Sequence, residues 1–162
     1  MAGGARPAPL HGRVVQVNVS PQGGLPKSPV AGPVWVRRQG VEGDRNRYRT
    51  EKLGGDPDSA VLLLPLSTIS SHASAGFPVR PGSMGENLTI EGVSEGQFRP
   101  GQRWRMGGAL LQSSRACTPC NELDAYGADL RKRALGLRGW YARVLEEGPV
   151  QAGDEAVLTA DV

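Results

Sequence analysis

The sequence predicts a mainly β, barrel-like domain with one or two short helices, and three observations support this prediction. The chain has 162 residues, which suits one domain whose core needs no disulfide bonds. It contains 23 Gly and 13 Pro, and aromatic residues make up only 5% of it, a composition typical of short strands joined by many turns. About seven or eight short apolar segments lie between those turns, which favours a barrel or folded sheet over a helical bundle.

The N-terminal half holds four predicted strands and one predicted helix. Residues 13–19 (RVVQVNV) alternate valine with polar residues, which is the period of a strand. Residues 34–38 (VWVRR) predict a second strand, and residues 60–64 (AVLLL) form a continuous apolar run of the length of a buried strand. Apolar residues at helical spacing predict a short helix over residues 66–75, and residues 88–90 predict a fourth strand.

The C-terminal half continues the same pattern. Residues 103–106 and 109–112 flank a two-glycine turn and predict a hairpin. Residues 121–136 predict a helix, with leucines on one face and three consecutive cations near its C-terminal end. Residues 141–145 and 155–159 predict the last two strands, separated by glycine-containing turns.

Domain organisation and compartment follow from composition. Residues 1–11 are rich in Gly, Ala and Pro and predict a flexible N-terminus, followed by a single domain over residues 12–162. No stretch approaches the roughly 18 consecutive apolar residues of a membrane-spanning helix, and the N-terminal sequence lacks the apolar core of a secretory signal. We therefore expect a cytoplasmic protein without a membrane partner. The net charge of +3 is only mildly basic and does not favour nucleic acid as a partner.

The two cysteines of the chain, Cys117 and Cys120, are its strongest candidates for chemistry. A thiolate is both a good nucleophile and a soft metal ligand. The pair follows an apolar strand and precedes the predicted helix at residues 121–136, so we expect it on a strand-to-helix turn. Backbone N–H groups at such a turn stabilise a thiolate or a bound anion.

Two polar loops are further candidates. Residues 40–49 (GVEGDRNRYR) hold the densest charge cluster of the chain. This cluster has two interpretations: an anion-binding loop, or a solvated turn in which Asp44 pairs with a nearby Arg. Residues 81–87 (PGSMGEN) combine two glycines, which permit close approach of the backbone to a ligand, with the acid Glu86 and the amide Asn87.

Six blocks in a set order are more specific than composition: GGLPKSPV, GVEGDR, GG-x-x-x-x-AVLLL, PGSMGENLTIEG, RACTPCNEL and GWYARVLEEGPVQAGD. Together they resemble the MOSC domain, which occurs at the C-terminus of eukaryotic molybdenum-cofactor sulfurases and alone in bacteria. The resemblance covers about residues 12–158 and points to the stand-alone bacterial type. Pyridoxal phosphate is linked to the chain by family association only, since we expect no desulfurase domain in it.

The resemblance implies a β-barrel-like MOSC fold that binds the molybdenum cofactor (molybdopterin). The family cysteine lies in a Pro-Cys pair, here Pro119-Cys120, so Cys120 is the implied metal ligand and first catalytic candidate, with Cys117 second. The implied function is reduction of N-hydroxylated compounds, with a small-molecule substrate and an electron-donor protein as partners. The residues implied to bind the cofactor around Cys120 are Lys27, Asp44, Arg45, Gly85, Glu86, Asn87 and Arg115.

Other functions of the cysteine pair stay open at the level of sequence. Cys120 could carry sulfur as a persulfide, received from a sulfur-donor protein. Cys117 to Cys120 also form a C-x-x-C pattern, as in thiol–disulfide oxidoreductases, although the flanking sequence lacks a clear βαβ pattern. A zinc site would need two further ligands. A pair of inert, buried cysteines in an ordinary β domain is compatible with the same residues.

Overall fold

The computed structural model describes residues 10–46 and 48–161, except for the side chain of Tyr48. Its strands are β1 His11–Val19, β2 Ser28–Pro29, β3 Val34–Arg37, β4 Gly40–Val41, β5 Val61–Pro65, β6 Leu88–Glu91, β7 Arg103–Met106, β8 Ala109–Ala116, β9 Trp140–Glu146, β10 Gly148–Val150 and β11 Glu155–Ala160. Its α-helices are α1 Leu66–Ser74 and α2 Leu130–Arg133. One-turn helical segments cover Tyr48–Lys52, Pro57–Ser59 and Glu95–Gln97, and a 3₁₀ helix covers Asn121–Tyr126.

Seven strands close into a barrel, which confirms the predicted mainly β, barrel-like fold. Around the ring their order is β11, β7, β8, β9, β5, β6 and β1, and the antiparallel pairing of β1 with β11 closes it. The short strand β2 extends the sheet beside β1, and a separate small sheet is formed by β10, β3 and β4. Closure leaves the barrel wall without unpaired strand edges.

Strand β5 shows why residues 60–64 form a continuous apolar run. All five residues of the strand are buried, so both of its faces are covered. Val61 and Leu63 point into the barrel core, whereas Leu64 packs in a second cluster with residues of α1 and α2. Leu62 also points outward, where it packs against Cys117 and Tyr141. The outer face of β5 therefore supports both the helical layer and the cysteine turn.

The structured part begins earlier than the sequence predicts. Leu10 accepts a backbone hydrogen bond from Leu158 at 2.9 Å, and His11 is paired with Val157 across β1 and β11. Residues 10 and 11, the last two of the predicted flexible segment, thus form part of the barrel seam. The rest of that segment, residues 1–9, lies outside the described residues.

The prediction of one helix over residues 121–136 is wrong. The segment forms the 3₁₀ helix Asn121–Tyr126 and the single α-helical turn α2, with a break between them. Gly127 has φ of +135°, which no helix contains. A Cβ atom at this position would lie 3.2 Å from Phe77 Cε1, so the break also lets the ring of Phe77 pack closely. Within the described residues, no helix is long and apolar enough to cross a membrane.

Candidate functional site

A cavity of about 370 Å³ lies on the outer side of the barrel wall, next to the cysteine turn. Its wall is formed by Leu62 of β5, the end of β8, Tyr141 of β9 and the loops around them. Its volume is within the range of about 300–1,000 Å³ that is usual for small-molecule sites. Among the residues predicted from the sequence, those that line it are Lys27, Arg45, Gly85, Arg115, Cys117 and Cys120.

The cysteine turn is held against the barrel by its first residue. Strand β8 ends at Ala116, which is paired with Trp140, and the Cys117 N–H then donates to the Gly139 carbonyl at 2.9 Å. Cys120 is the N-cap residue of the following 3₁₀ helix. The pair therefore lies on a turn between a strand and a short helical segment, with both sulfur-bearing residues on the cavity wall.

The two thiols differ in environment. Cys117 is buried and Cys120 is exposed. Burial raises the pKa of the Cys117 thiol, and the nearby positive charge of Arg138 opposes this effect in part. A thiol with a raised pKa holds little thiolate at neutral pH, so Cys117 is a weak nucleophile. The sulfur that a metal or an incoming sulfur donor can reach is that of Cys120.

Lys27 and Asp44 form a buried ion pair beside the cavity. The Lys27 ammonium donates to both carboxylate oxygens of Asp44, at 2.8 and 2.7 Å. The Asn87 amide donates to Asp44 Oδ2 at 2.9 Å, and Ser20 N–H donates to Asp44 Oδ1 at 2.7 Å. Asp44 thus pairs with the distant Lys27, and among the described residues it forms no pair with a local arginine as the second interpretation of this loop expected; Arg47 lies outside the described residues.

Asn87 and Glu86 lie behind the cavity wall. The Asn87 amide oxygen accepts from the N–H of Leu62 at 3.0 Å, which ties the beginning of β6 to β5. One oxygen of Glu86 accepts from Gly82 N–H at 2.9 Å and from the Thr89 hydroxyl at 2.8 Å. Burial raises the pKa of the Glu86 carboxyl. Together with Asp44, these two residues shape the loops of the site without lining the cavity.

Arg45 and Arg115 line the cavity from its solvent side, and each is paired with a carboxylate. Arg45 Nη2 lies 2.9 Å from Glu51, and Arg115 Nη1 lies 3.4 Å from Asp56. Arg115 also donates to the Ser59 hydroxyl, and its guanidinium lies 5.3 Å from the centre of the Tyr141 ring. The hydrogen bond from Asp58 N–H and the charge of Arg115 lower the pKa of Asp56.

The sequence analysis missed several residues of the wall, chiefly Arg138, Tyr141, Leu62 and Lys52. Arg138 lies directly before the last of the six blocks, which begins at Gly139. A cation at this position, just before a predicted strand, was the sequence signal that could have identified it. Nothing in the sequence marks Leu62 and Tyr141 as site residues. The alternation of residues along a strand shows which side chains share a face of the sheet, but not whether a cavity or another element covers that face.

The cavity provides few protein ligands for a metal. Within the described part of the chain, no three His, Cys, Asp or Glu side chains are grouped so as to hold a metal ion. The thiol of Cys120 can supply a single soft donor there. A metal bound at Cys120 would therefore take its other donors from an organic cofactor or from water.

Comparisons with known proteins agree with this architecture. The family model of the MOSC domain matches residues 50–157, about two thirds of the chain. YflK of Bacillus subtilis is 32% identical over 135 residues, which are 80% of this chain and 60% of YflK. YiiM of Escherichia coli is 31% identical over 149 residues, which are 85% of this chain and 64% of YiiM.

Comparison with solved structures finds one of the same proteins. The crystal structure of Escherichia coli YiiM has a TM-score of 0.75 to this chain, at 27% identity, with 95% of this chain and 72% of that chain covered. The chain spans 60% and 64% of the length of the two curated relatives, less than two thirds of either. Since the family model matches more than half of the chain, the chain belongs to the MOSC domain family, as the resemblance of the sequence blocks implied.

Proposed function

We propose that the cavity binds the molybdenum cofactor with Cys120 as a protein ligand to the metal, and that the protein reduces N-hydroxylated compounds. The observation that carries the proposal is the exposed thiol of Cys120 on the wall of a cation-lined cavity. The related amidoxime-reducing enzymes, which resemble this family, suggest the substrate class. An electron-donor protein is the partner that such a reduction requires.

The residues present fit this cofactor. A thiolate suits a high-valent metal that is already held by the sulfurs of a dithiolene. The wall holds five cationic side chains and two acidic ones, which favours an anionic ligand; the cations are Lys27, Arg45, Lys52, Arg115 and Arg138. Nε and Nη1 of Arg138 are buried and have no hydrogen-bond partner in the described part of the chain. Gly85 brings backbone to the wall at φ of +80°.

Each part of the site has a separate role in this proposal. Bound molybdenum would supply the two-electron chemistry, and the protein would supply binding and orientation. Cys120 would hold the metal, while the buried pair of Lys27 and Asp44 keeps two loops of the cavity in place. Cys117 stays a protonated neighbour, because burial raises its pKa.

The test is metal and pterin content. Wild type, Cys120→Ala and Cys117→Ala would be purified from a host that makes molybdenum cofactor. We expect near-stoichiometric molybdenum by mass spectrometry, and oxidised pterin by fluorescence, in wild type and Cys117→Ala. Cys120→Ala should lose the molybdenum. Loaded wild type should then reduce an amidoxime when a chemical electron donor is supplied, and loaded protein without such activity would contradict the proposed reaction.

Sulfur transfer is the second candidate, and the exposure of Cys120 next to a buried thiol favours it. An accessible thiolate can attack the outer sulfur of a persulfide on a sulfur-donor protein and hold that sulfur as its own persulfide, while the thiolate of the donor leaves. Intact-mass analysis after incubation with sulfide and an oxidant would show one added sulfur on wild type and Cys117→Ala, but not on Cys120→Ala. Wild type without molybdenum but with this persulfide would favour the sulfur carrier. A disulfide oxidoreductase, in contrast, would need both cysteines for turnover.

A further inference from the structure

Two of the three guanidinium nitrogens of Arg138 are buried without a hydrogen bond to any described residue. The whole residue is 5% exposed, and the two nitrogens, Nε and Nη1, have no partner within residues 10–46 and 48–161. A buried charge without hydrogen bonds is unfavourable, and most buried arginines are fully paired. Among the described residues, no salt bridge to Arg138 exists either. This side chain therefore has unused capacity to bind an anion.

Arg138 faces the same cavity as the cysteines. It lines that cavity, and its Nη2 atom lies 4.0 Å from the position that a Cβ atom on Gly85 would take. Its charge also acts on the thiol of Cys117. An anion held by Nη2 would lie between the loop of Gly85 and the cysteine turn.

The neighbouring carboxyl groups do not occupy Arg138. Glu86 directs one oxygen to Gly82 and Thr89, and its other oxygen, Oε1, is buried without a hydrogen-bond partner among the described residues. Glu95 accepts from Gly139 N–H at 2.7 Å and from the Thr68 hydroxyl at 3.1 Å. The charge of Arg138 acts on the pKa of both carboxyl groups, but neither forms a salt bridge to it in the described part of the chain. Burial raises the pKa of both carboxyl groups, so part of their negative charge is lost as the pH falls. The positive charge of Arg138 is thus compensated only at a distance.

Of the other four cations of the cavity wall, three are paired with a carboxylate and one forms no salt bridge with a described residue. Lys27, Arg45 and Arg115 each have a carboxylate partner. Lys52 lines the cavity, is exposed, and forms no salt bridge with a described residue. Arg138 and Lys52 together offer two positive charges without a salt-bridge partner among the described residues, which match a dianion better than a monoanion. A phosphate monoester carries about −1.5 to −2 charges at neutral pH, whereas a carboxylate carries one.

We infer that Arg138 is an anion-binding residue of the cavity and that its ligand carries a phosphate monoester. The planar guanidinium fork suits the tetrahedral oxygens of this group. The inference rests on the proposed function only for the source of the phosphate, which is either the cofactor itself or a phosphorylated substrate. Binding of the phosphate group to Arg138 does not itself require molybdenum.

The first experiment uses wild-type protein from a host without cofactor synthesis and inorganic phosphate as the probe. Calorimetric titration would compare wild type with Arg138→Gln, Arg138→Lys and the control Arg143→Gln, which removes an exposed charge outside the cavity wall. We expect Arg138→Gln to bind phosphate about tenfold more weakly or worse, and Arg143→Gln to stay within about twofold of wild type. Equal affinity in wild type and Arg138→Gln, or no binding to wild type, would overturn the inference.

Urea unfolding of the same variants separates binding from folding. If Arg138 is kept for a ligand, Arg138→Gln removes a buried charge that has no direct ion-pair partner, and its unfolding midpoint should equal or exceed that of wild type. If Arg138 holds the fold together, the midpoint falls and Arg138→Lys does not restore it. That second result would overturn the inference, because the residue would then be structural.

Two further arms identify the source of the phosphate. In protein from a cofactor-producing host, loss of pterin from Arg138→Gln but not from Arg143→Gln would assign the phosphate to the cofactor. Retained pterin, with a nucleoside monophosphate bound tighter than its nucleoside only when Arg138 is present, would assign it to a substrate. Wild type without molybdenum or pterin, but with Arg138-dependent phosphate binding, would contradict the proposed function alone. Full molybdenum content with equal phosphate affinity in Arg138→Gln would contradict this inference alone.

Discussion

The ammonium of Lys27 lies 2.7 Å from a carboxylate oxygen of Asp44, and the two side chains are only 6% and 3% exposed. The pair joins the loop after β1 to the loop after β4, across 17 residues of sequence. Asn87 and the backbone of Ser20 complete the hydrogen bonding of the carboxylate. Both loops contribute to the cavity wall, so this ion pair connects the stability of the domain to the shape of its site.

Breaking this ion pair should destabilise the protein strongly. Asp44→Ala leaves a buried ammonium without its counter-ion, and we expect the free energy of unfolding to fall by about 3–5 kcal/mol. Glu51→Gln removes the carboxylate of an exposed pair with Arg45 and should cost less than about 1 kcal/mol. Urea denaturation of wild type and both variants measures this difference. Equal losses for the two variants would show that the Lys27 pair is as weak as a surface pair.

The two cysteines should differ in reactivity. In Cys117→Ser only the exposed thiol of Cys120 remains, and in Cys120→Ser only the buried thiol of Cys117 remains. We expect iodoacetamide to modify Cys120 at least about tenfold faster at neutral pH, because burial limits access to Cys117 and raises its pKa. Mass spectrometry at several times and pH values gives both rates. The rate at Cys117 should keep rising to a higher pH than an ordinary thiol requires, and similar rates for the two thiols would contradict this prediction.

Glu86 should make the stability of the protein depend on pH. Burial raises the pKa of its carboxyl in the folded state, so between the ordinary glutamate pKa and this raised value the folded chain binds more protons than the unfolded chain. Stability contributed by Glu86 therefore falls as the pH rises through that window. The difference in unfolding free energy, Glu86→Gln minus wild type, should increase across the window and then stay constant. Urea unfolding at pH values from about 4 to about 8 measures it, and a difference independent of pH would contradict the assignment.

Gly82 should tolerate no side chain. Its φ is +92°, and a Cβ atom would overlap the carbonyl oxygen of Lys27. Gly153 is a matched control with φ of +97° and nothing within 4 Å of its Cβ position. We expect Gly153→Ala to cost about 1–2 kcal/mol from backbone strain, and Gly82→Ala to cost about 1–3 kcal/mol more because of the overlap. The difference in urea midpoints tests this, and equal midpoints would mean that the Gly82 loop shifts without cost.

Local sequence pattern accounts for most of the barrel. Eight predicted strands correspond to β1, β3, β5, β6, β7, β8, β9 and β11, because alternation or a continuous apolar run marks a strand whatever it pairs with. The short strands β2, β4 and β10 have only two or three residues, too few to show any period. The helix break at Gly127 was not predicted, and the ring of Phe77 that packs against it comes from 50 residues away in sequence.

Short-range periodicity was enough to predict eight of the strands and the position of the cysteine turn, and the order of the six sequence blocks was enough to predict the family. The burial of Cys117, the exposure of Cys120 and the pairing of Lys27 with Asp44 emerge only in the folded chain. The same is true of Arg138, which lines the cavity without a salt bridge to a described residue. The physical reason is that burial and charge pairing depend on which distant segments barrel closure brings together. A residue's own neighbours in sequence carry no record of those contacts.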